Sequence, residues 1–170
     1  MNDGVAEASE REFSVTRVFD APRGLVWQAY TEAERLAQWW GPKGFSMRVV
    51  TLDLRPGGMF LYSMHHQNSQ EMWGRFVYRE IIAPERLVFI NSFSDAAGAI
   101  TRNSWSATWP LEIFNTLTFS EHEGKTTLTM RGGPHAATLE EQATFEAAFG
   151  SLQQGFTGTL DQLEDYLATA

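Results

Sequence analysis

The 170-residue sequence contains no cysteine. Disulfide bonds, thiolate metal ligands and cysteine nucleophiles are therefore excluded. Basic residues are also scarce, because 13 lysines and arginines stand against 21 aspartates and glutamates and leave a formal net charge of -8. A nucleic-acid groove needs a basic surface, so nucleic acid is not expected as a partner. Nor does any stretch reach the roughly 18 apolar residues of a membrane-spanning helix, so we expect no membrane association.

The amino-terminal segment lacks the features of a targeting sequence. Residues 1–10 contain neither a basic region nor an apolar run, which argues against a signal peptide and indicates a short disordered tail. No shift in composition divides the remainder, so residues 11–170 are predicted to form a single domain that buries one sizeable core. We expect a cytoplasmic protein.

The pattern after the tail predicts one strand and then two short helices. Alternating apolar residues indicate a strand over 13–19, and a proline suited to the first turn of a helix opens a helix over 22–30. Thr31 and Glu34 have the spacing of a capping box, which predicts a second helix ending near Trp40.

From about residue 45 the apolar period switches to two, with turn residues at regular intervals. Short connections favour antiparallel neighbours, with the first strand added at an edge or closing the curve. The irregular stretch 94–110 is predicted to be a long loop. The predicted strands cover residues 46–54, 58–66, 72–82, 86–93, 111–120 and 125–132.

The carboxyl-terminal region has the pattern of one long amphipathic helix. Thr138 and Glu141 form a second candidate capping box at its start. Glycines 150, 155 and 158 weaken this helix, so they predict a kink or a close approach of the backbone, or they are simply tolerated. The apolar face is formed by Phe145, Phe149, Leu152, Phe156, Leu160, Leu163 and Leu167.

Several motifs, in order, resemble the SRPBCC (START-like) superfamily, and within it the branch of the activator of heat shock protein 90 ATPase homologue. The motifs are Phe-Asp-Ala-Pro at 19–22 with Val-Trp at 26–27, Trp-Trp-Gly-Pro-Lys-Gly-Phe at 39–45, Asp-Leu-Arg-Pro-Gly-Gly at 53–58 and Pro-Glu-Arg-Leu-Val at 84–88. This resemblance implies an α+β helix-grip fold: a curved antiparallel sheet around a long carboxyl-terminal helix, two short helices after strand 1, and a cavity between sheet and helix. Members bind lipids, polyketides, hormones or aromatic intermediates, and some are cyclases or hydrolases.

Two features depart from the family pattern. Related sequences tend to carry Gly-Trp in the final helix, where this chain has Gly155 and Phe156, and the 94–110 loop is longer and more aromatic than usual. Both positions fall at the expected cavity mouth, so the identity of a ligand cannot be transferred.

Strand alternation predicts which side chains face the cavity. If Arg75 and Arg79 face water, alternation along the strand makes Gly74, Phe76, Tyr78 and Glu80 face inward. The same alternation gives inward rows on the neighbouring strands. These rings either line a ligand cavity or simply fill the core. The double tryptophan, Trp39 and Trp40, is either a clamp that faces the ligand or a structural plug, with one ring buried between the second helix and the sheet and the other partly exposed. The side chains predicted to contact the ligand are Trp40, Phe60, Tyr62, Met64, His66, Phe76, Tyr78, Glu80, Phe89, Asn91, Phe149 and Phe156.

The polar residues of these inward rows are few: His66, Tyr78, Glu80, Asn91 and Asn115. A histidine and a carboxylate in an apolar cavity could act as general base and acid. Alternatively, His66 is solvated at a strand end and Glu80 forms a structural ion pair. No residue is assigned as catalytic. The histidines lack ligand spacing, so neither a metal nor another cofactor is expected.

The sequence thus favours a protein that binds a small hydrophobic or aromatic ligand, acting as a monomer or homodimer. Two alternatives stay open: a cyclase or hydrolase acting in the same cavity, and a chaperone-associated protein-interaction module. An enclosed cavity, a convergent acid–base pair and a large exposed apolar patch would distinguish the three.

Overall fold

The structure is a computed structural model that describes residues 12–42, 44–67 and 70–170. The predicted tail over 1–10 lies outside the described residues. Within them the chain forms seven strands and four helices. The strands are β1 (Phe13–Phe19), β2 (Ser46–Leu52), β3 (Met59–His65), β4 (Met72–Ile82), β5 (Arg86–Ser94), β6 (Ile113–His122) and β7 (Lys125–Pro134). The helices are α1 (Arg23–Thr31), α2 (Ala33–Trp39), α3 (Leu139–Ala147) and α4 (Phe149–Thr169).

The strands form one antiparallel sheet in the order β1-β7-β6-β5-β4-β3-β2. From β2 to β7 each strand pairs with the next one in the chain, whereas β1 occupies the edge beside β7. The predicted α+β helix-grip class is confirmed, and so is the edge position of the first strand. One face of the sheet packs against α4, with α1 and α2 completing the wall.

The core lies between the sheet and the second half of α4. Leu160 and Leu163 are almost completely buried, in one cluster with Trp27 and Tyr30 of α1 and Phe119 of β6. Each buried leucine contributes roughly 1.5 to 3 kcal/mol relative to an exposed one. The predicted burial of this part of the helix is confirmed.

The helix ends are only partly as predicted. Thr138 accepts from the backbone N–H of Glu141, and the Glu141 carboxylate accepts from the backbone N–H of Thr138, so this capping box is confirmed. The box predicted at Thr31 and Glu34 is wrong. Thr31 is the last residue of α1 and its hydroxyl donates to the carbonyl of Trp27 at 2.8 Å, which leaves α2 to begin after Glu32 without a side-chain cap.

The carboxyl-terminal helix is interrupted where a continuous helix was predicted. Ala148, with φ -94° and ψ 2°, separates α3 from α4. The break falls at an alanine rather than at one of the three glycines. None of the described residues comes within 4 Å of a Cβ built on Gly150, Gly155 or Gly158, so within the described part of the chain no close backbone approach occurs at these positions. In the part of the chain that is described, no helix is both long and apolar enough to cross a membrane.

Candidate functional site

Helix α4 covers the sheet unevenly along its length. Leu160, Leu163 and Leu167 in its second half are 1%, 0% and 8% exposed. In its first half, Leu152 and Phe156 are only partly buried, although they continue the same apolar face. The first half therefore packs less closely than the second, although the rings of Phe149 and Phe156 contact Phe13 of β1, and two cavities lie beneath it.

The first of these, cavity A, has a volume of about 140 Å³. Its walls come from β1, β5, β6, β7, the loop before β6 and both carboxyl-terminal helices. They consist of Phe13, Asn91, Phe93, Trp109, Ile113, Asn115, Met130, Arg131, Gly132, Phe145, Leu152 and Phe156.

The second, cavity B, has a volume of about 290 Å³ and lies at the end of the sheet formed by β3 and β4. It shares Phe93, Leu152 and Phe156 with cavity A, so the two are neighbours separated by these three side chains. Its walls are Trp40, Gly41, Pro42, Tyr62, Met64, Met72, Phe93, Ser151, Leu152, Gly155, Phe156 and Thr159.

Two asparagines form the polar part of cavity A. The side-chain amide nitrogen of Asn115 donates to Oδ1 of Asn91 at 3.1 Å and to the carbonyl of Ile113 at 3.0 Å. Asn115 lies opposite Gly132 in the sheet, and a Cβ on Gly132 would come within 2.6 Å of Asn115 Oδ1. Glycine is therefore the residue that leaves room for this amide.

Cavity B has one polar ring in a similar setting. The hydroxyl oxygen of Tyr62 lies over Gly74 of β4, 2.5 Å from where a Cβ on that glycine would sit. Burial raises the pKa of Tyr62 to about 12, although the adjacent Trp40 indole N–H partly opposes the shift. The phenol is thus neutral at physiological pH and provides a polar wall, not a base.

The double tryptophan has two different roles. Trp39 is buried, and its indole N–H donates to the carbonyl of Ala29 at 3.0 Å. Trp40 is only partly buried, borders cavity B and lies edge-on to Tyr62 and Phe76 with ring centroids 6.3 and 5.5 Å apart. The first ring is structural, and the second forms part of the wall, as a buried and a partly exposed ring were predicted.

Helix α4 also fixes the turn that carries Trp40. The side-chain amide of Gln162 donates to the carbonyls of Trp39 and Gly41 at 3.0 and 2.8 Å, and the hydroxyl of Thr159 donates to the same Gly41 carbonyl at 3.2 Å. Gly41 has φ +109°, which favours glycine. The wall of cavity B is therefore tied to the helix that covers it.

The segment before β6 closes the other side. Arg102 donates to the Glu141 carboxylate at 2.6 Å and to the carbonyl of Trp109 at 3.1 Å. The Trp109 ring lies 5.4 Å from that of Phe145, between α3 and cavity A. Hydrogen bonds from the Thr138 backbone and from Arg102 lower the pKa of Glu141. We call residues 101–111 the strap.

The predicted ligand-contacting residues divide into two groups. Trp40, Tyr62, Met64, Asn91 and Phe156 lie on the walls of cavity A or B. The others do not appear on these walls among the described residues: Phe60, His66, Phe76, Tyr78, Glu80, Phe89 and Phe149.

Four of the second group are core residues. Phe60, Phe76, Tyr78 and Phe89 are each at most 4% exposed and contact one another, and the rings of Phe76 and Phe89 stack 4.0 Å apart. Burial raises the pKa of Tyr78. The inward orientation predicted for these rings is correct, but their neighbours fill the space that a ligand would need. Phe149 packs instead against Phe13 and Phe145 in a smaller cluster.

The inward orientation predicted for Glu80 is wrong. The register of β4 with β5 shifts between Tyr78 and Glu80, which takes the carboxylate out of the inward row. Its Oε1 lies 2.9 Å from Nε of Arg86, and its side chain is 44% exposed. The alternative of a structural ion pair is the one observed.

The histidine at the end of β3 also lies away from the two cavities. His66 is exposed, directly follows β3, and its ring lies 5.2 Å from that of Phe45. The described walls of cavities A and B contain neither an imidazole nor a carboxylate. In the described ranges, no cluster of three or more metal-ligating side chains occurs.

Several wall residues were not predicted. Trp109 lies in the predicted loop, and no periodicity assigns a loop side chain to a face. Gly132 carried a signal that could have been used, since a glycine within a strand pattern often marks a close approach by another group.

Solved structures share this architecture. Ms6760 from Mycobacterium smegmatis is 26% identical, with a TM-score of 0.75 over 93% of this chain and 91% of that one. A protein from Arthrobacter aurescens is 24% identical, with a TM-score of 0.79 over 96% and 89%. DynU16, a protein in the dynemicin biosynthetic locus, is 19% identical, with a TM-score of 0.65 over 94% of this chain and 48% of that one.

Sequence comparison agrees with the motifs. No curated protein matches the chain. The family described as Activator of Hsp90 ATPase homolog 1-like protein matches residues 20–168, a range that contains the four motifs except for Phe19, the first residue of the first motif. The chain therefore belongs to this family, the branch of the SRPBCC (START-like) fold that its motifs predicted.

Proposed function

We propose that this protein binds a small apolar or aromatic molecule between the sheet and the first half of α4. The observation that carries the proposal is the pair of neighbouring cavities, about 140 and 290 Å³ in volume, which share Phe93, Leu152 and Phe156 as wall residues. An apolar pocket with a few placed polar groups is the usual form of a small-molecule site. Rotation of one or two of these side chains would join the cavities.

The chemistry of the walls favours binding over acid–base catalysis. Most described wall residues are apolar or aromatic, and their neutral polar groups include two asparagine amides, a tyrosine and a threonine hydroxyl. The charged exception is Arg131 of cavity A, whose guanidinium is about half exposed and lies 3.9 Å from the Glu12 carboxylate. Such walls recognise an apolar body with one or two hydrogen-bonding groups. The proposal requires neither a cofactor nor a second subunit.

A glycine-to-leucine pair on α4 tests the proposal. Gly155 borders cavity B, and a Cβ there meets nothing within 4 Å, so Gly155→Leu adds a side chain to the wall without a clash at its Cβ. Gly150 has the same open surroundings but borders neither cavity, so Gly150→Leu is the matched control. Binding of the uncharged fluorescent probe N-phenyl-1-naphthylamine is measured for all three proteins.

We expect the probe to bind wild type and Gly150→Leu alike and Gly155→Leu about tenfold more weakly, which corresponds to about 1.4 kcal/mol. Saturating probe should also stabilise wild type, by about 2.7 kcal/mol at a hundredfold excess over Kd. Equal affinity of the two variants would contradict binding in cavity B. The absence of any bound probe, with no small molecule in native mass spectra of protein from its own host, would contradict the function.

A further inference from the structure

The two asparagines of cavity A leave hydrogen-bonding groups unused. Asn115 donates from Nδ2 to two oxygens, of Asn91 and of the Ile113 backbone, and only a nitrogen can make both bonds. This fixes both amides: Asn91 turns its oxygen toward Asn115, and its own NH₂ group lies on the other side. Among the described residues, that NH₂ group donates no hydrogen bond, and Asn115 Oδ1 accepts none.

We propose that Asn91 and Asn115 together recognise a carbonyl oxygen on a single-ring aromatic ligand in cavity A. Asn91 would donate from Nδ2 to this oxygen, and Asn115 would hold the Asn91 amide in the required orientation. The role rests on the proposed function, because it requires that cavity A take a ligand.

The apolar walls of cavity A make the unused NH₂ group of Asn91 important for ligand binding. Cavity A is walled mainly by Phe93, Ile113, Met130 and other apolar side chains. A ligand that fills the cavity removes water from the Asn91 amide, and an amide left without a partner is unfavourable, so a ligand that supplies the acceptor gains affinity over one that does not. Only one polar group of the ligand is needed.

The sheet is built to hold this pair. Gly132 is in register with Asn115 on β6 and with Phe13 on β1, and any larger residue at this position would meet Asn115 Oδ1 at 2.6 Å. Glycine in the interior of a strand weakens the strand, so its presence here marks a close approach. The approaching group is the amide that orients Asn91.

The volume sets the size of the ligand. An engineered protein cavity of about 150 Å³ binds benzene, and cavity A, at about 140 Å³, is of this size. The ligand class is therefore a benzene ring with a short carbonyl substituent, such as an aryl ketone or aldehyde. A larger molecule would extend past Phe93 into cavity B.

Two nearly isosteric probes separate this inference from the proposed function. Acetophenone carries a carbonyl oxygen where α-methylstyrene carries a methylene group, and the two are similar in shape and volume. Their affinities are measured by calorimetry for wild type, for Asn91→Leu and for the control Gln154→Leu, an exposed position of α4 that borders neither cavity. Side-chain amide resonances of wild type are followed by NMR in parallel.

We expect wild type and Gln154→Leu to bind acetophenone about five- to tenfold more tightly than α-methylstyrene. Asn91→Leu should lose this preference or reverse it, because the ketone oxygen would then be buried without a donor. The Asn91 NH₂ resonances should shift with acetophenone and much less with α-methylstyrene, a readout that needs no variant to fold.

Equal binding of the two compounds by wild type would overturn the inference and leave the proposed function intact. So would a ketone preference that survives in Asn91→Leu, or one that leaves the Asn91 resonances unmoved. Failure of both compounds to bind wild type at millimolar concentration would overturn the inference together with ligand binding in cavity A.

Discussion

The two halves of α4 have the same spacing of apolar residues and opposite roles. In the second half, Leu160 and Leu163 meet a wall completed by α1 and α2, and Arg17 of β1 binds Asp161 and Glu164 at 2.6 and 2.7 Å. In the first half the same apolar face lies over cavities A and B; the strap and α3 close cavity A, and the turn that carries Trp40 forms a wall of cavity B. An amphipathic pattern therefore identifies the face that points inward, but not whether other side chains fill the space it faces.

The strongest test of this difference is a matched pair of leucine truncations. Leu163→Ala in the packed half should lower the free energy of unfolding by about 3 to 4 kcal/mol, because it creates a new cavity. Leu152→Ala should lower it by only about 1 kcal/mol, since Leu152 is partly exposed and already borders both cavities. Urea denaturation measures both. Losses of similar size would show that the first half of α4 is packed as tightly as the second.

A second comparison concerns the two glycines that make room for polar side chains. Gly74→Ala should cost about 2 to 3 kcal/mol, because its Cβ would lie 2.5 to 3.0 Å from three atoms of the buried Tyr62 ring. Gly132→Ala should cost about 1 kcal/mol, because the Asn115 amide that it meets can move into cavity A. The reverse order, from thermal or chemical denaturation, would mean that the asparagine pair is held more rigidly than the tyrosine.

Patterns local in sequence predicted most of the fold. The spacing that predicted burial of Leu160 and Leu163 is a property of one helix, and the box of Thr138 and Glu141 spans a single turn. The alternation of side chains along the strands predicted that Tyr62 and Asn91 face inward, and both lie on cavity walls. The capping box at Thr31 failed because the same hydroxyl can satisfy a carbonyl of the preceding helix, and the sequence does not decide between the two partners.

The candidate site was harder to predict because it depends on contacts distant in sequence. Glu80 does not face inward, because a one-residue bulge shifts the register of β4 with β5. No residue pattern in this stretch predicts the bulge. Phe76 and Phe89 face inward as predicted but stack on each other, so orientation alone did not distinguish a wall from a filled core. Trp109 lies on cavity A in a strap that is held to α3 by hydrogen bonds from Arg102 to Glu141, 39 positions later, and between Thr108 and Thr144.

The link between strap and α3 gives a pH-dependent prediction for the first half. The folded pKa of Glu141 lies below its ordinary value of 4.5, so its stabilisation is complete above that pH and is lost as pH falls through the folded pKa. Glu141→Gln keeps a capping-box residue but loses the charge. Wild type should exceed it in stability by about 1 kcal/mol at pH 7, and the gap should narrow as the pH falls below 4.5 and close below the folded pKa.

The control for this prediction is Glu140→Gln in the same first turn. Glu140 is exposed and its substitution removes mainly an interaction with the helix dipole, so we expect a loss of about 0.3 kcal/mol. Urea denaturation at pH 7, 5 and 3.5 compares the three proteins. A gap between wild type and Glu141→Gln that stays constant down to pH 3.5 would show that the Arg102 bond is not what the carboxylate contributes.

The smallest expected effects come from substitutions of the glycines in α4. These substitutions distinguish an effect on stability from an effect on ligand binding. A Cβ on Gly150 or Gly155 meets nothing within 4 Å, so Gly150→Ala and Gly155→Ala should each raise the free energy of unfolding by about 0.5 to 1 kcal/mol through helix propensity. Only Gly155 borders cavity B, so only Gly155→Ala should weaken binding of N-phenyl-1-naphthylamine, by about twofold. Stability comes from thermal denaturation and affinity from fluorescence titration. Because both substitutions should stabilise the helix equally, a difference in probe affinity between the two variants would be due to the cavity under α4. Equal affinities with equal stabilisation would mean that Gly155 does not contact the probe.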